Sequence, residues 1–84
     1  MAMRKITAKE VEQINKIIRP RFGPKSQVQS GSCEMISGGI TKYHLVIGDP
    51  VNPPADENLK GIGKILKEKW DTNAEYYSFG KKIS

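Results

Sequence analysis

Prolines and glycines gather in two short stretches, and these stretches divide the chain into segments. Residues 20–26 are Pro-Arg-Phe-Gly-Pro-Lys-Ser, and residues 48–54 are Gly-Asp-Pro-Val-Asn-Pro-Pro. Proline lacks a backbone N–H and has a fixed φ angle, so neither stretch suits a helix interior or a central strand. We therefore expect connectors here, with regular structure before, between and after them.

The segment before the first connector predicts an amphipathic helix over residues 8–19. Thr7 and Glu10 are spaced as a capping box, in which each side chain accepts a hydrogen bond from the other residue's backbone N–H. Apolar side chains then recur at helical spacing, at Val11, Ile14, Ile17 and Ile18. Pro20 disfavours helical geometry at Arg19, so the helix is expected to end there.

The middle segment, residues 27–48, predicts a β-hairpin with a three-residue Ser-Gly-Gly loop at residues 37–39. This register gives four pairs across the strands: Ile36 with Ile40, Met35 with Thr41, Glu34 with Lys42, and Cys33 with Tyr43. The Glu34–Lys42 pair is then a favourable one of opposite charge. A two-residue loop would place Cys33 opposite His44 and mix the two faces of the hairpin, so it is rejected.

The last segment predicts a second helix over residues 55–70, followed by a third strand over residues 74–79. The apolar face of this helix is formed by Leu59, Ile62, Leu66 and Trp70. Asn52 or Asp56 is the expected cap, because both residue types accept hydrogen bonds from the first turn of a helix. The strand is rich in aromatic residues, which favours β structure.

The predicted order is therefore helix, strand, strand, helix, strand, in a single domain spanning residues 1–84. Two helices can cover one face of a three-stranded antiparallel sheet, which gives an α+β two-layer sandwich. A chain of 84 residues has room for one hydrophobic core.

Two glycines, Gly61 and Gly63, lie inside the second predicted helix, where each costs roughly 1 kcal/mol relative to alanine. Close packing of the helix on the sheet is the expected reason. The alternative is the glycine hairpin of helix-hairpin-helix DNA-binding motifs, but Pro53 and Pro54 leave little room for the helix that must precede it.

The net charge is +5, and it is distributed unevenly. The balance is +5 in residues 1–25, −3 in residues 26–59 and +3 in residues 60–84. Such a field favours polyanions or acidic protein surfaces, although solubility alone would also explain it. No signal-peptide pattern is present and no apolar run approaches the roughly 20 residues that span a bilayer, so we expect a cytoplasmic protein without membrane binding.

Catalytic patterns are missing from the sequence. Cys33 is the one cysteine and His44 the one histidine, and the predicted register places them on opposite faces of the sheet, which prevents Cys-His nucleophilic chemistry. Ser32 lies opposite His44, but no third residue completes a triad. The carboxylates are scattered rather than paired. We therefore expect no enzymatic activity, no metal site and no cofactor.

The open face of the predicted sheet is one candidate binding surface. It carries Lys42 and His44, together with either Tyr76 or Tyr77 from the third strand. Such a face resembles the surface of single-stranded RNA readers that stack bases on a sheet, although an ordinary solvated face is the simpler alternative.

A lysine stripe on the second helix is the other candidate surface. Lys60, Lys64 and Lys67 lie on one side of that helix, where like charges repel and a polyanion would relieve the repulsion; a solvated face is again the alternative. The predicted nucleic-acid-binding residues are Arg19, Arg21, Lys25, Lys42, His44, Lys60, Lys64, Lys67 and Tyr76.

The element order, a Gly48-Asp49-Pro50 turn after the second strand and a short tyrosine-rich last strand resemble the small domains found within large polyvalent proteins of phages and conjugative elements. That family more often has an Asp-Gly-Pro order with an aromatic residue before it, so this chain departs from the pattern. The resemblance implies a phage or mobile-element origin and carries over no functional residue.

Two functional hypotheses follow. In the first, the chain binds nucleic acid, with its Lys and Arg patches on phosphates and with His44 and Tyr76 on bases. In the alternative, it is a protein-interaction module, such as a phage-encoded inhibitor or adaptor of an acidic host protein, that adds a partner's strand to its sheet edge. The choice among DNA, RNA and protein, and the oligomeric state, stay open.

Overall fold

The computed structural model of the chain describes residues 2–84, which form one sheet with two helices against one of its faces. The strands and helices, in chain order, are β1 (Ala2–Lys5), α1 (Ala8–Phe22), β2 (Val28–Ile36), β3 (Gly39–Ile47), α2 (Asp56–Lys69), β4 (Glu75–Ser78) and β5 (Lys81–Lys82). A short 3₁₀ turn at Pro24–Ser26 joins α1 to β2. The five strands lie side by side in the order in which they occur in the chain. The α+β class with two helices is therefore confirmed.

The sheet is mixed, so the predicted three-stranded antiparallel sheet is wrong in detail. β3 and β4 run parallel, while the other neighbouring strands run antiparallel. The reason is the connection between them. The 14 residues of α2 rise about 21 Å, enough to carry the chain back along the sheet to the end where β3 began.

The two edge strands, β1 and β5, were not predicted. All four residues of β1 are exposed, and so are both residues of β5. A strand without a buried face has no alternation of apolar and polar residues, which is the pattern that identifies a strand in a sequence. The hydrogen bonds of these strands come from their neighbours in the sheet instead.

The hairpin between β2 and β3 has the predicted register but not the predicted loop. Ser37 and Gly38, with φ angles of 54° and 82°, form a two-residue turn. A bulge then restores the register, so that Glu34 pairs with Lys42 and Cys33 with Tyr43, as expected. The expected pairs nearest the loop are wrong: Ile36 pairs with Gly39, and Met35 with Ile40.

The first helix begins as predicted and ends later. The Glu10 N–H donates to Thr7 Oγ1 at 3.1 Å, and the Thr7 N–H donates to Glu10 Oε1 at 2.9 Å, which confirms the capping box. The helix continues through Pro20 to Phe22 and ends at Gly23, which has a φ of 78°. Pro20 removes the bond to the Lys16 carbonyl, and because Lys16 is exposed this carbonyl can bond to water instead. The turn that contains Pro20 is held by Phe22, which packs against Gly61 of the second helix.

The second helix begins at Asp56, after Ala55, and neither predicted capping side chain bonds to its first turn. Both of its glycines have packing reasons. A Cβ on Gly61 would lie 2.9 Å from the Phe22 ring, and a Cβ on Gly63 would overlap the Ile83 backbone carbonyl. The expectation of close packing is therefore correct, although the neighbours are α1 and the chain after β5 rather than the middle of the sheet.

The core lies between the helices and the face of the sheet that they cover. The largest fully buried side chains are Tyr76, Ile14, Ile18, Leu45, Ile47, Ile62, Leu66, Cys33 and Ser78. Tyr43 and Tyr76 stack in parallel on adjacent strands within this layer, with ring centroids 5.2 Å apart. No helix in residues 2–84 is both long enough and apolar enough to cross a membrane.

Candidate nucleic-acid interface

The uncovered face of the sheet carries a row of polar and aromatic side chains that runs across all five strands. The strand registers place Lys5, Ser32, His44, Tyr77 and Lys82 at successive opposed positions. The neighbouring row contains Met3, Glu34, Lys42 and Glu75. Opposed residues lie close enough for their side chains to interact, so each row forms a connected surface.

His44 is fixed from two sides. Its ring stacks on that of Tyr77, with centroids 5.2 Å apart and planes 23° from parallel. On its other side, Nε2 lies 2.5 Å from Glu34 Oε2. The carboxylate of Glu34, whose side chain is only 13% exposed, thus bonds diagonally to His44 rather than to the opposed Lys42.

Tyr77 is the other anchored side chain of the open face. Its hydroxyl donates to Glu75 Oε2 at 3.0 Å, and Lys82 Nζ lies 3.4 Å from Glu75 Oε1. The pKa of Glu75 is held below its usual value, chiefly by the hydrogen bond from the Tyr77 hydroxyl and secondly by Lys82. Lys42 Nζ lies 5.7 Å from the centroid of the Tyr77 ring, within the range of a cation–π contact.

A shallow groove of about 420 Å³ lies beside the stacked pair. Its lining includes Lys5, Ser30, Ser32, His44, Val46, Tyr77 and Phe79. Phe79 is unusual because it is an aromatic residue with a positive φ, 52°, and its side chain is 44% exposed. Phe79 and Gly80, with φ angles of 52° and 75°, form the two-residue turn between β4 and β5, which accounts for this conformation.

The predicted base-contacting residue Tyr76 does not reach this face, and its assignment is corrected. Tyr76 is fully buried on the helix side of the sheet. Its hydroxyl accepts from the Asp71 N–H at 3.0 Å and donates to the Asp71 carbonyl at 2.8 Å, so it closes the end of α2 against β4. Burial raises the pKa of Tyr76. Tyr77 takes the predicted place beside His44.

The structure also divides the predicted set of cations between two faces. Lys42 and His44 lie on the open face of the sheet. The other six, Arg19, Arg21, Lys25, Lys60, Lys64 and Lys67, belong to the helices and to the turn after α1. Of these six, Lys60 comes nearest to the open face, because it lines a depression with Lys82 at the β5 edge. The predicted residues therefore do not form one site.

Three of the six helix-side cations either bond to other groups of the protein or line a separate depression. Arg19 Nη2 lies 3.1 Å from Glu12 Oε1, and Arg19 Nε donates to Gln27 Oε1 at 2.8 Å. Lys67 Nζ donates to the Ala74 carbonyl at 3.2 Å. Lys25 lines a separate depression that also contains Asp49. The remaining three, Arg21, Lys60 and Lys64, lie on the exposed side of the helices.

The candidates for nucleophilic chemistry lie where the register predicts. Cys33 is fully buried under the helices, whereas His44 lies on the open face. Ser32 is the residue opposed to His44. Within residues 2–84, no group of three His, Cys, Asp or Glu side chains is close enough to hold a metal ion.

Four residues of the open face, Lys5, Tyr77, Phe79 and Lys82, are absent from the predicted set. Lys5 and Lys82 were missed because they lie on the unpredicted edge strands. The choice between Tyr76 and Tyr77 depends on the phase of a four-residue strand, which two adjacent tyrosines leave undetermined.

No protein-family model, curated protein or solved structure matches this chain. The resemblance to domains of polyvalent proteins of phages and conjugative elements therefore stays a prediction.

Proposed function

We propose that this protein binds single-stranded nucleic acid on the open face of its sheet. The observation that carries the proposal is the fixed His44–Tyr77 stack, with the exposed Phe79 beside the same groove. Proteins that bind single strands combine aromatic side chains, on which bases stack, with cations that follow the backbone. Both kinds of group meet on this face.

The aromatic part is held in position before any ligand binds. Glu34 fixes the His44 ring through Nε2, and Glu75 fixes the Tyr77 hydroxyl. A surface that is already ordered loses less conformational entropy on binding than a mobile one, which favours affinity. Phe79 keeps its ring exposed in the turn between β4 and β5, and a stacking base would cover that ring.

The cationic part is spread around the stack. Lys5 lies at one end of the central row and Lys82 at the other, with Lys42 next to Tyr77. Among the described residues, neither Lys5 nor Lys42 has a carboxylate oxygen within 4.0 Å, so both are available to phosphates. The two carboxylates of the face are already bonded, to His44 and to Lys82.

Fluorescence anisotropy with a labelled single-stranded oligonucleotide, at several salt concentrations, tests this function. We expect affinity to fall with salt, and the K5Q/K42Q double variant to reduce the logarithmic salt slope by about 0.7 per lost phosphate contact. Y77A should cost roughly 1–3 kcal/mol, the usual contribution of a stacked base. The control is K25Q, which removes a cation outside the open face. A flat titration at low salt, or equal losses in K25Q, would refute the proposal.

The alternative function, a protein-interaction module that accepts a partner's strand, has less support at the edge where it would act. A partner strand at the β1 edge would bind the backbone groups that point away from β2. These belong to Met3 and Lys5, since the Ile6 N–H is bonded to the Gly31 carbonyl and the direction alternates along a strand. The guanidinium of Arg4 already donates to the Lys5 carbonyl at 3.2 Å. A pull-down that survives nuclease treatment and is lost on disrupting β1 would favour this alternative.

A further inference from the structure

The exposed side of the helices carries a second group of cations, which the open face of the sheet does not use. Lys60 and Lys64 lie one turn apart on α2 and are both exposed. Four residues of helix rise about 6 Å, whereas the charges of one strand of a duplex are spaced about 3.4 Å apart along its axis. The two lysines can therefore contact separate phosphates of one strand.

The packing of the two helices brings a third cation to the pair. Gly61 has no Cβ, and the Phe22 ring lies where that atom would be. Arg21, the residue before Phe22, is thereby placed across a groove of about 340 Å³ that Lys64 also lines. The core thus fixes the relation between Arg21 on α1 and Lys64 on α2, and Lys60 lies one helical turn before Lys64.

These cations are not neutralised by the protein. In residues 2–84, neither Arg21, Lys60 nor Lys64 has a carboxylate oxygen within 4.0 Å. Glu68 lines the groove beside Arg21 and Lys64 but forms no such pair. Lys60 lines a second depression with Asp56, Lys81 and Lys82, in which Asp56 is 3.8 Å from Lys81.

We propose that Arg21, Lys60 and Lys64 form a second nucleic-acid surface, which binds the phosphates of a double strand. Unlike the open face, this group has no exposed aromatic ring beside it, because Phe22 is packed against Gly61. Contacts to phosphates without stacked bases suit a duplex, in which the phosphates lie outside and the bases are paired.

The position of this surface has a consequence for the whole molecule. The helices cover one face of the sheet, and the His44–Tyr77 stack lies on the other face. One molecule therefore holds a single strand on one side and a duplex on the other, and so bridges the two nucleic acids. This bridging depends on the proposed function, whereas the duplex surface does not.

A blunt-ended duplex hairpin with a short closed loop tests the second surface, with anisotropy measured between 50 and 200 mM salt. We expect the variant R21Q/K60Q/K64Q to lower the logarithmic salt slope for the duplex by about 0.9 per cation removed. Its binding of a single-stranded oligonucleotide should be unchanged. The matched control, K5Q/K42Q, should show the reverse pattern. Circular dichroism and thermal unfolding of both variants confirm that they fold.

Three outcomes would overturn the inference: duplex affinity unchanged in R21Q/K60Q/K64Q, duplex affinity lost equally in K5Q/K42Q, or binding of a poly-glutamate peptide but not of the duplex, which would identify an acidic protein as the partner. Bridging is measured separately, by energy transfer between a labelled single strand and a labelled duplex. The energy transfer should need both surfaces, and it should disappear in R21Q/K60Q/K64Q and in K5Q/K42Q. Failure of single-strand binding alone would remove the bridging and the proposed function, but not the duplex surface.

Discussion

The guanidinium group of Arg4 contacts both carboxylate oxygens of Glu10, with Nη1 2.8 Å from Oε1 and Nη2 3.2 Å from Oε2. The same Oε1 accepts the Thr7 N–H of the capping box. One carboxylate therefore joins the edge strand β1 to the first turn of α1. The pKa of Glu10 is lowered from 4.5 to about 2. The larger cause is the hydrogen bond from Arg4, and the next is the bond from the Thr7 backbone N–H.

This contact predicts a loss of stability in acid. Because the pKa of Glu10 is lowered on folding, its contribution is fully present above the unfolded value of 4.5 and is lost as the pH falls through about 2. E10Q should flatten the pH dependence of the unfolding free energy across that window, since glutamine keeps the capping-box geometry without the charge. We expect a cost of about 1 kcal/mol or less at neutral pH, because Arg4 is partly solvated.

Urea denaturation at a series of pH values measures this effect. E12Q is the matched control, because Glu12 lies on the same helix and pairs with Arg19 at the exposed surface. Such surface pairs contribute roughly 0–1 kcal/mol, so E12Q should keep the acid dependence of the native protein. Equal pH profiles for E10Q and the native protein would contradict the role given to the Arg4 contact.

The packing of Gly63 predicts an unusually costly Gly-to-Ala change within a helix. The Ile83 carbonyl occupies the space of the missing Cβ, and the Ile83 N–H donates to the Tyr76 carbonyl at 2.8 Å, so this part of the chain cannot simply move aside. We expect G63A to destabilise the protein by about 1–3 kcal/mol, the usual cost of overpacking, despite the better helix propensity of alanine.

Two other glycines calibrate that result. In G61A the new methyl group meets only the end of the Phe22 ring, which can turn, and the gain in helix propensity of up to about 1 kcal/mol offsets the contact. G39A is the neutral control, since its nearest neighbour, the Ile36 carbonyl, is 3.7 Å away. Thermal unfolding should rank G63A as clearly the least stable; similar stability of all three would show that the C-terminal segment does not pack as described.

Local sequence patterns predicted the local parts of this fold. The Thr7–Glu10 capping box and the Cys33–Tyr43 register depend on residues that are close in the chain or joined by one short turn, and both are confirmed. The parallel pairing of β3 with β4 depends on where α2 returns the chain, which no local pattern specifies. The end of α1 was misplaced because Phe22, beyond Pro20, packs against Gly61 of α2, and no local pattern specifies this tertiary contact.

The candidate site was predictable only in its centre. His44 and Lys42 follow from the alternation of β3, which the hairpin register fixes. Lys5 and Lys82 belong to strands that have no buried residue and therefore no pattern. The separation of the helix-side lysines from His44 follows from the layered packing, which places elements on opposite sides of the sheet regardless of their charge.

The corrected assignment of the two adjacent tyrosines predicts that removing the hydroxyl destabilises the protein far more at Tyr76 than at Tyr77. Y76F would remove the hydroxyl that donates to the Asp71 carbonyl and to the Leu66 carbonyl, which costs roughly 1–3 kcal/mol. Y77F removes only a part-buried contact with Glu75 and should change stability by less than about 0.5 kcal/mol. Urea unfolding of the two variants compares them directly. A larger loss in Y77F would mean that the phase of β4 is reversed.

The side-chain contact between Glu34 and His44 predicts a variant that binds single-stranded nucleic acid more tightly. Glu34 places a negative charge within the proposed single-strand surface, 2.5 Å from His44 Nε2. In E34Q the amide oxygen can still accept from Nε2, so the ring stays in position while repulsion of phosphates is removed. One charge at close range in a solvated site is worth about 1 kcal/mol, so we expect roughly fivefold tighter binding of a single-stranded oligonucleotide at low salt. The control E12Q removes the same charge on the helix side and should leave this affinity unchanged. Weaker binding in E34Q would show that the full carboxylate is needed to hold His44, and equal gains in both variants would place the effect in the net charge rather than in this surface.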